Sequence, residues 1–158
     1  MILVAHQPPP SLETKAFVTM DSNELWTRTK QFAVRIIKLV AALPRNRTGD
    51  VLGRQLLKSG TSIGANYQEA LRASSRRHFV TTLEIAVREG EETRYRLELL
   101  ADSGLIKPSR LSDLARECNE LAAILTATVI STKRQIRNHK PWSPLHGQPS
   151  VGVRRGLG

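Results

Sequence analysis

Aromatic residues make up only 4% of this chain, and cysteine occurs once. Few aromatics beside plentiful Leu, Ala, Ile and Val leave little that suits a β-sheet, so an all-helical domain is expected. The single cysteine, Cys118, excludes an intramolecular disulfide framework and suits a reducing compartment such as the cytoplasm. No run approaches the roughly 20 apolar residues that cross a membrane. The opening stretch MILVAHQPPP has no basic leader and no small-residue cleavage site, so it does not read as a signal peptide. Acidic residues are also in short supply: 14 Asp and Glu stand against 24 Lys and Arg, for a formal net charge of +10. That balance favours an anionic partner, such as nucleic acid or an acidic protein surface, over the plain alternative of a solvated basic face.

What is present is helical periodicity. Asp21 and Glu24 have capping-box spacing, and Leu25, Phe32, Ile36, Leu39 and Leu43 form one apolar stripe that Pro44 ends. Arg28, Arg35 and Lys38 share a flank of this first helix. A second helix is expected from Thr48 or Asp50 to about Ala73, with Leu52, Leu56, Ile63, Tyr67 and Ala70 in a narrow arc. Gly53, Gly60 and Gly64 lie beside that arc, although glycine inside a helix costs about 1 kcal/mol relative to alanine. Close approach of another helix would offset that cost, within a bundle or between bundles. Gln55, Ser62, Asn66 and Glu69 line the other border as a polar row, and Arg54, Lys58 and Arg72 take the exposed side.

Ser74 or Ser75 caps a third helix carrying Phe79, Leu83, Ala86, Val87, Leu97 and Leu100. Its polar face mixes Glu84, Glu89, Glu91, Glu92 and Glu98 with Arg88, Arg94 and Arg96, the pattern of a solvated face or of intersubunit ion pairs. After Ser103-Gly104 and Lys107-Pro108, a fourth helix holds Leu111, Leu114, Cys118, Leu121, Leu125, Val129 and Ile136, ending between Thr132 and Arg137. The organisation is therefore a flexible extension over 1–20, a four-helix domain over 21–137 and a disordered basic Pro/Gly-rich tail over 138–158. Met20 directly precedes the first helix signal, so residues 1–19 are expected to be a dispensable or mis-assigned extension.

Enzyme chemistry finds no support. Gly60-Thr61-Ser62-Ile63-Gly64 matches G-x-S-x-G, but a nucleophile elbow needs a strand before the serine and a sharp turn, and here both flanks are helical. Gly53 to Lys58-Ser59 lacks the strand and the glycine of a phosphate loop. His6, His78, His139 and His146 are scattered and the Glu-x-x-His step of di-iron bundles is absent, so neither a metal nor another cofactor is expected. Asn46-Arg47-Thr48 is a glycosylation sequon without relevance in a cytoplasmic protein. Cys118 reads as a small core residue, and Trp142 as a lone tail tryptophan without a site role.

The residues do point to a family. The stretch from Leu25 to about Arg134 resembles the four-helix-bundle proteins encoded by intervening sequences in bacterial 23S ribosomal RNA genes. The carrying motifs are R-T-K-Q-F-A at 28–33, the Leu43-Pro44 stop, Q-L-L-K-S-G-T-S-I-G-A-N-Y-Q-E-A at 55–70, L-E-I-A-V-R-E-G-E-E-T at 83–93 and E-C-N-E-L-A-A-I-L at 117–125. The resemblance implies an antiparallel up-and-down four-helix bundle, assembled as a ring-like homopentamer, with no enzyme activity. A related branch serves diversity-generating retroelements as a basic accessory protein that contacts nucleic acid and reverse transcriptase. Two residues depart from the pattern: Gly90 stands where alanine is usual, and Arg96 where an aromatic usually follows Tyr95.

Two function classes follow. In the first, a non-catalytic bundle binds RNA or DNA, with little regard to sequence, through Arg28, Arg35, Lys38, Arg45, Arg47, Arg54, Lys58 and Arg72. Aromatic interleaving is missing, so stacking on single-stranded bases is not expected. In the second, a structural or adaptor module binds a partner protein such as a reverse transcriptase. Gly53, Gly60, Ser62, Gly64 and Asn66 would then form a helix-packing or oligomer interface, with satisfaction inside one bundle as the alternative. Charge ranks the first ahead of the second.

Overall fold

The chain enters α1 (Ser22–Ala41) from Asp21, turns at Pro44 and returns along α2 (Arg47–Leu71). It turns again at Ser74 and Ser75 into α3 (Arg76–Asp102), and a last short connection leads to α4 (Pro108–Arg137). The computed structural model describes residues 21–138 and 141–142, and those residues contain four α-helices and no strand. The expected N-terminal extension, and the tail apart from Asn138, Pro141 and Trp142, lie outside the described residues, as do His6, His139, Lys140, His146, Arg154 and Arg155.

Local chemistry sets the helix ends. The Asn46 side chain accepts a hydrogen bond from the Gly49 N–H at 2.8 Å, so α2 starts at Arg47, earlier than Thr48 or Asp50. Ser75 caps α3 by accepting from the His78 N–H at 3.1 Å. Pro108 opens α4 where its missing N–H costs nothing. In the turn before it Gly104 adopts φ 71°, a left-handed conformation that glycine takes without a steric penalty. The capping box expected at Asp21 does not form: its carboxylate instead accepts from the Ser22 hydroxyl at 3.3 Å.

The helices pack in chain order, α1 on α2, α2 on α3 and α3 on α4, while α1 meets α4 over a short stretch. Positions along α2 fix the direction of its pairing with α1. Gly53 faces Val40 and Leu43, Gly60 faces Ile36, and Gly64 faces Thr29, so α2 numbers rise as α1 numbers fall. Likewise Gly90 of α3 faces Ala122 of α4 while Glu84 pairs with Lys133, so these helices too are antiparallel. Phe32, Ile36, Leu56, Ile63, Leu83, Leu97, Leu100, Leu121 and Leu125 fill the core between them.

Polar groups in that core are satisfied close to home. Thr29, Ser59, Thr93 and Thr132 are buried, and each hydroxyl donates to a carbonyl of its own helix. The Tyr67 hydroxyl reaches the Ser22 carbonyl at 3.2 Å, and burial pushes its phenol well above the ordinary range. Cys118 is a core residue: its Sγ donates to the Gly90 carbonyl at 3.5 Å. Burial, with help from nearby Glu91, pushes its thiol up to about 12.

Candidate nucleic-acid interface

The bundle separates the basic residues that the sequence places on two neighbouring helices. Arg47, Arg54, Lys58 and Arg72 recur at helical spacing along the outer face of α2 and are all exposed. With 25 residues in α2, this cationic face runs for about 37 Å. Arg45 extends it into the α1–α2 turn, where it too is exposed. Arg35 and Lys38 are exposed as well, but on the flank of α1 turned away from α2. The outermost strip of α1 lies between these two basic surfaces and carries Val34 and Ile37, which are 43% and 49% exposed.

Arg28 has a different role. Its Nε donates to Glu117 at 3.0 Å and its Nη2 to both Glu117 and Glu120 at 2.8 Å, joining α1 to α4 where the two helices meet. The Glu117 hydrogen bond, supported by Glu120, raises the guanidinium pKa, so the group stays charged. A half-buried fork with two carboxylates holds the bundle together and leaves little of Arg28 to meet a phosphate. Replacing it by glutamine leaves the two carboxylates facing each other and is expected to lower stability by about 1–3 kcal/mol. RNA affinity of the folded variant should stay within about twofold of the parent, as read by denaturant titration and fluorescence anisotropy.

The glycines of α2 are buried against α1 of the same chain. A Cβ on Gly60 would lie 2.8 and 2.9 Å from two carbons of Ile36, and one on Gly64 would lie 3.3 Å from Thr29. On the other border, the Ser62 hydroxyl donates to the Lys58 carbonyl at 2.7 Å and the Asn66 amide to the Ser62 carbonyl at 2.8 Å. Both side chains thus bond their own helix, while Gln55 and Glu69 remain exposed. The mixed charges of α3 also resolve within that helix: Arg94 pairs with Glu91 and Glu98, and Arg96 with Glu92. Arg96 therefore contributes little free positive charge.

A second concentration of cations escaped the reading of single helices. The α2–α3 turn and the first turn of α3 carry Arg72, Arg76, Arg77 and His78, and the end of α4 carries Lys133, Arg134 and Arg137. Both runs are visible in the sequence, but only the antiparallel pairing of α3 with α4 puts them at one end of the molecule. Trp142 is there too: its ring lies 5.8 Å from that of Phe79, and the Arg76 guanidinium sits 5.5 Å from its centre. Pro141 and Trp142, described residues of the stretch expected to be a disordered tail, thus make contacts with α3.

Residues 21–127 match the family described as 23S rRNA-intervening sequence protein. The chain belongs to that family. A solved structure from Bacteroides thetaiotaomicron, described as a protein of unknown function from the S23 ribosomal protein family, is 36% identical. The match covers 70% of this chain and 98% of that one, with a TM-score of 0.66. No curated protein matches. The exposed cations of α2 fall inside the stretch that defines this intervening-sequence protein, whereas Arg134, Arg137 and Trp142 lie beyond it. Among the described residues no helix is long and apolar enough to cross a membrane, and no group of His, Cys, Asp and Glu is placed to hold a metal ion.

Proposed function

We propose that this intervening-sequence protein is a non-enzymatic, self-assembling bundle that binds RNA or DNA through the outer face of α2. One observation carries the reading: Arg47, Arg54, Lys58 and Arg72 form an exposed cationic face on a molecule of net charge +10. Phosphates spaced along a nucleic-acid strand match charges spaced along a helix, and contacts to phosphate carry no base information. The binding is therefore sequence-tolerant and sensitive to salt. Lone surface arginines on solvated helices are common, but here four exposed cations face only two exposed acids, Asp50 beside Arg47 and Arg54 and Glu69 beside Arg72, so the face keeps a net positive potential.

The exposed apolar strip of α1 supports self-association. Val34 and Ile37 lie outermost on α1, with Ala41 one turn further along. A second copy covering this strip, in the ring-like homopentamer that the family resemblance implies, would place the α2 face of each subunit around a common circumference and multiply the charge presented. The same strip favours a second reading, in which it receives a partner protein such as a reverse transcriptase and the basic faces are only solvated.

A mobility-shift titration with short single-stranded and double-stranded RNA and DNA at about 50 mM salt separates the two. Retarded complexes with several unrelated sequences are expected. No shift with any of them would overturn the nucleic-acid reading in favour of the protein partner.

A further inference from the structure

We infer that the end of the bundle built from the α2–α3 turn, the start of α3 and the end of α4 is a second, phosphate-gripping surface for the same nucleic acid, with Trp142 fixed at its edge. This rests on the nucleic-acid reading above and adds to it a surface that meets the α2 face at Arg72 and extends past the family-matched residues at Arg134 and Arg137.

The register of α3 and α4 places the charges. Glu84 of α3 and Lys133 of α4 pair at 2.6 Å across the two helices. Arg137 lies one turn beyond Lys133, about 6 Å along α4, and Arg77 lies seven residues before Glu84, about 10 Å along α3 in the same direction. The two guanidinium groups therefore sit at neighbouring levels on adjacent helices, both exposed. Arg72 stands at the end of α2 and Arg134 beside Arg137, and both are exposed as well.

The cations of this end outnumber its acids. Glu84 is engaged by Lys133. Asp21 and Glu24, at the start of α1, lie away from α3, which α1 does not contact, and so away from Arg76 and Arg77. Glu69 sits three residues before Arg72 and offsets that one cation, leaving Arg77, Arg134 and Arg137. The cations are mostly arginines, whose planar forks grip phosphate oxygens in pairs. A membrane surface is a poorer partner for this end. The nearest exposed large apolar residue, Ile130, lies two turns before Arg137, and Trp142 is turned in against Phe79. Anchoring in lipid would need apolar side chains free to insert.

Trp142 makes the surface testable. The Arg76 Nη2 donates to the Pro141 carbonyl, and its guanidinium lies over the Trp142 ring. Any phosphate that gathers the neighbouring arginines changes the field at this indole. In the full chain with Trp26→Phe, Trp142 is the one remaining tryptophan. Titration of that protein with a short single-stranded RNA should change Trp142 emission with the same midpoint as the anisotropy of labelled RNA. Arg77→Gln together with Arg137→Gln should weaken RNA binding about tenfold or more and leave the helical circular dichroism intact. Unchanged affinity in that double variant, or a silent Trp142 while RNA binds, would overturn the inference and leave the α2 face as the binding surface. Failure of the parent to bind RNA at all would overturn this inference and the reading it rests on together.

Discussion

Leucine in place of Gly60 is expected to destabilise the bundle by about 4 kcal/mol, a large part of what holds a domain of this size folded. Even the first carbon of a side chain would lie 2.8 Å from Ile36 Cγ1 and 2.9 Å from Cγ2. Ile36 is fully buried, and these atoms are at its branch point, so they cannot swing aside as the tip of a flexible chain could. Relief requires α1 and α2 to move apart along a contact that also includes Gly53 and Gly64. Alanine at the same position gains about 1 kcal/mol of helix propensity but still meets Ile36, and a net loss of about 2 kcal/mol is expected.

Gly90→Ala provides the control, because it makes the same chemical change with the opposite sign. There the added Cβ finds Ala122 at 3.5 Å and Ile63 at 4.0 Å, both ordinary contact distances. The substitution should stabilise by about 0.5–1 kcal/mol through the backbone alone. Urea titrations of the parent, Gly60→Ala and Gly90→Ala decide the matter. A Gly60→Ala protein as stable as the parent would show that the glycines do not serve the α1–α2 contact.

Reversing two charges on α2, Arg54→Glu with Lys58→Glu, should lower RNA affinity about 100-fold or more at low salt. The two residues lie one turn apart in the middle of the cationic face, and both are exposed. Their removal leaves no buried partner stranded, so the melting temperature should move little. Arg28→Gln is expected to do the reverse, lowering stability and sparing binding. The pair of variants separates cations that face solvent from the one that ties α1 to α4. Fluorescence anisotropy with labelled RNA, beside thermal melts, reads both effects.

Much of the fold could be read along the chain, because four apolar stripes at helical spacing, Pro44 and Pro108 are local signals. The Ser75 cap is local as well and forms as expected. Asp21 shows the limit of such reading: its spacing to Glu24 suits a capping box, yet the Ser22 hydroxyl takes its carboxylate. The glycines of α2 announced a close approach, but which helix approaches depends on how the chain turns back at Pro44. Arg28 looked like its neighbours Arg35 and Lys38, since nothing near it reveals carboxylates 89 and 92 residues away. The cluster at the far end was hidden for a related reason. Arg77 and Arg137 lie far apart in sequence, and the antiparallel pairing of α3 with α4 brings them to neighbouring levels at one end. Trp142 carried no periodic signal, and Phe79 and Arg76 give it a place.

The most direct test of nucleic-acid binding through the basic faces is the salt dependence of affinity for a short single-stranded RNA. The four cations of α2 acting on phosphate contribute about −3 per bound subunit to the slope of log affinity against log salt, and the arginines at the end of the bundle steepen it further. Arg54→Gln with Lys58→Gln should flatten that slope by about 1.5. A slope near zero, or one that the double variant leaves unchanged, would contradict the account.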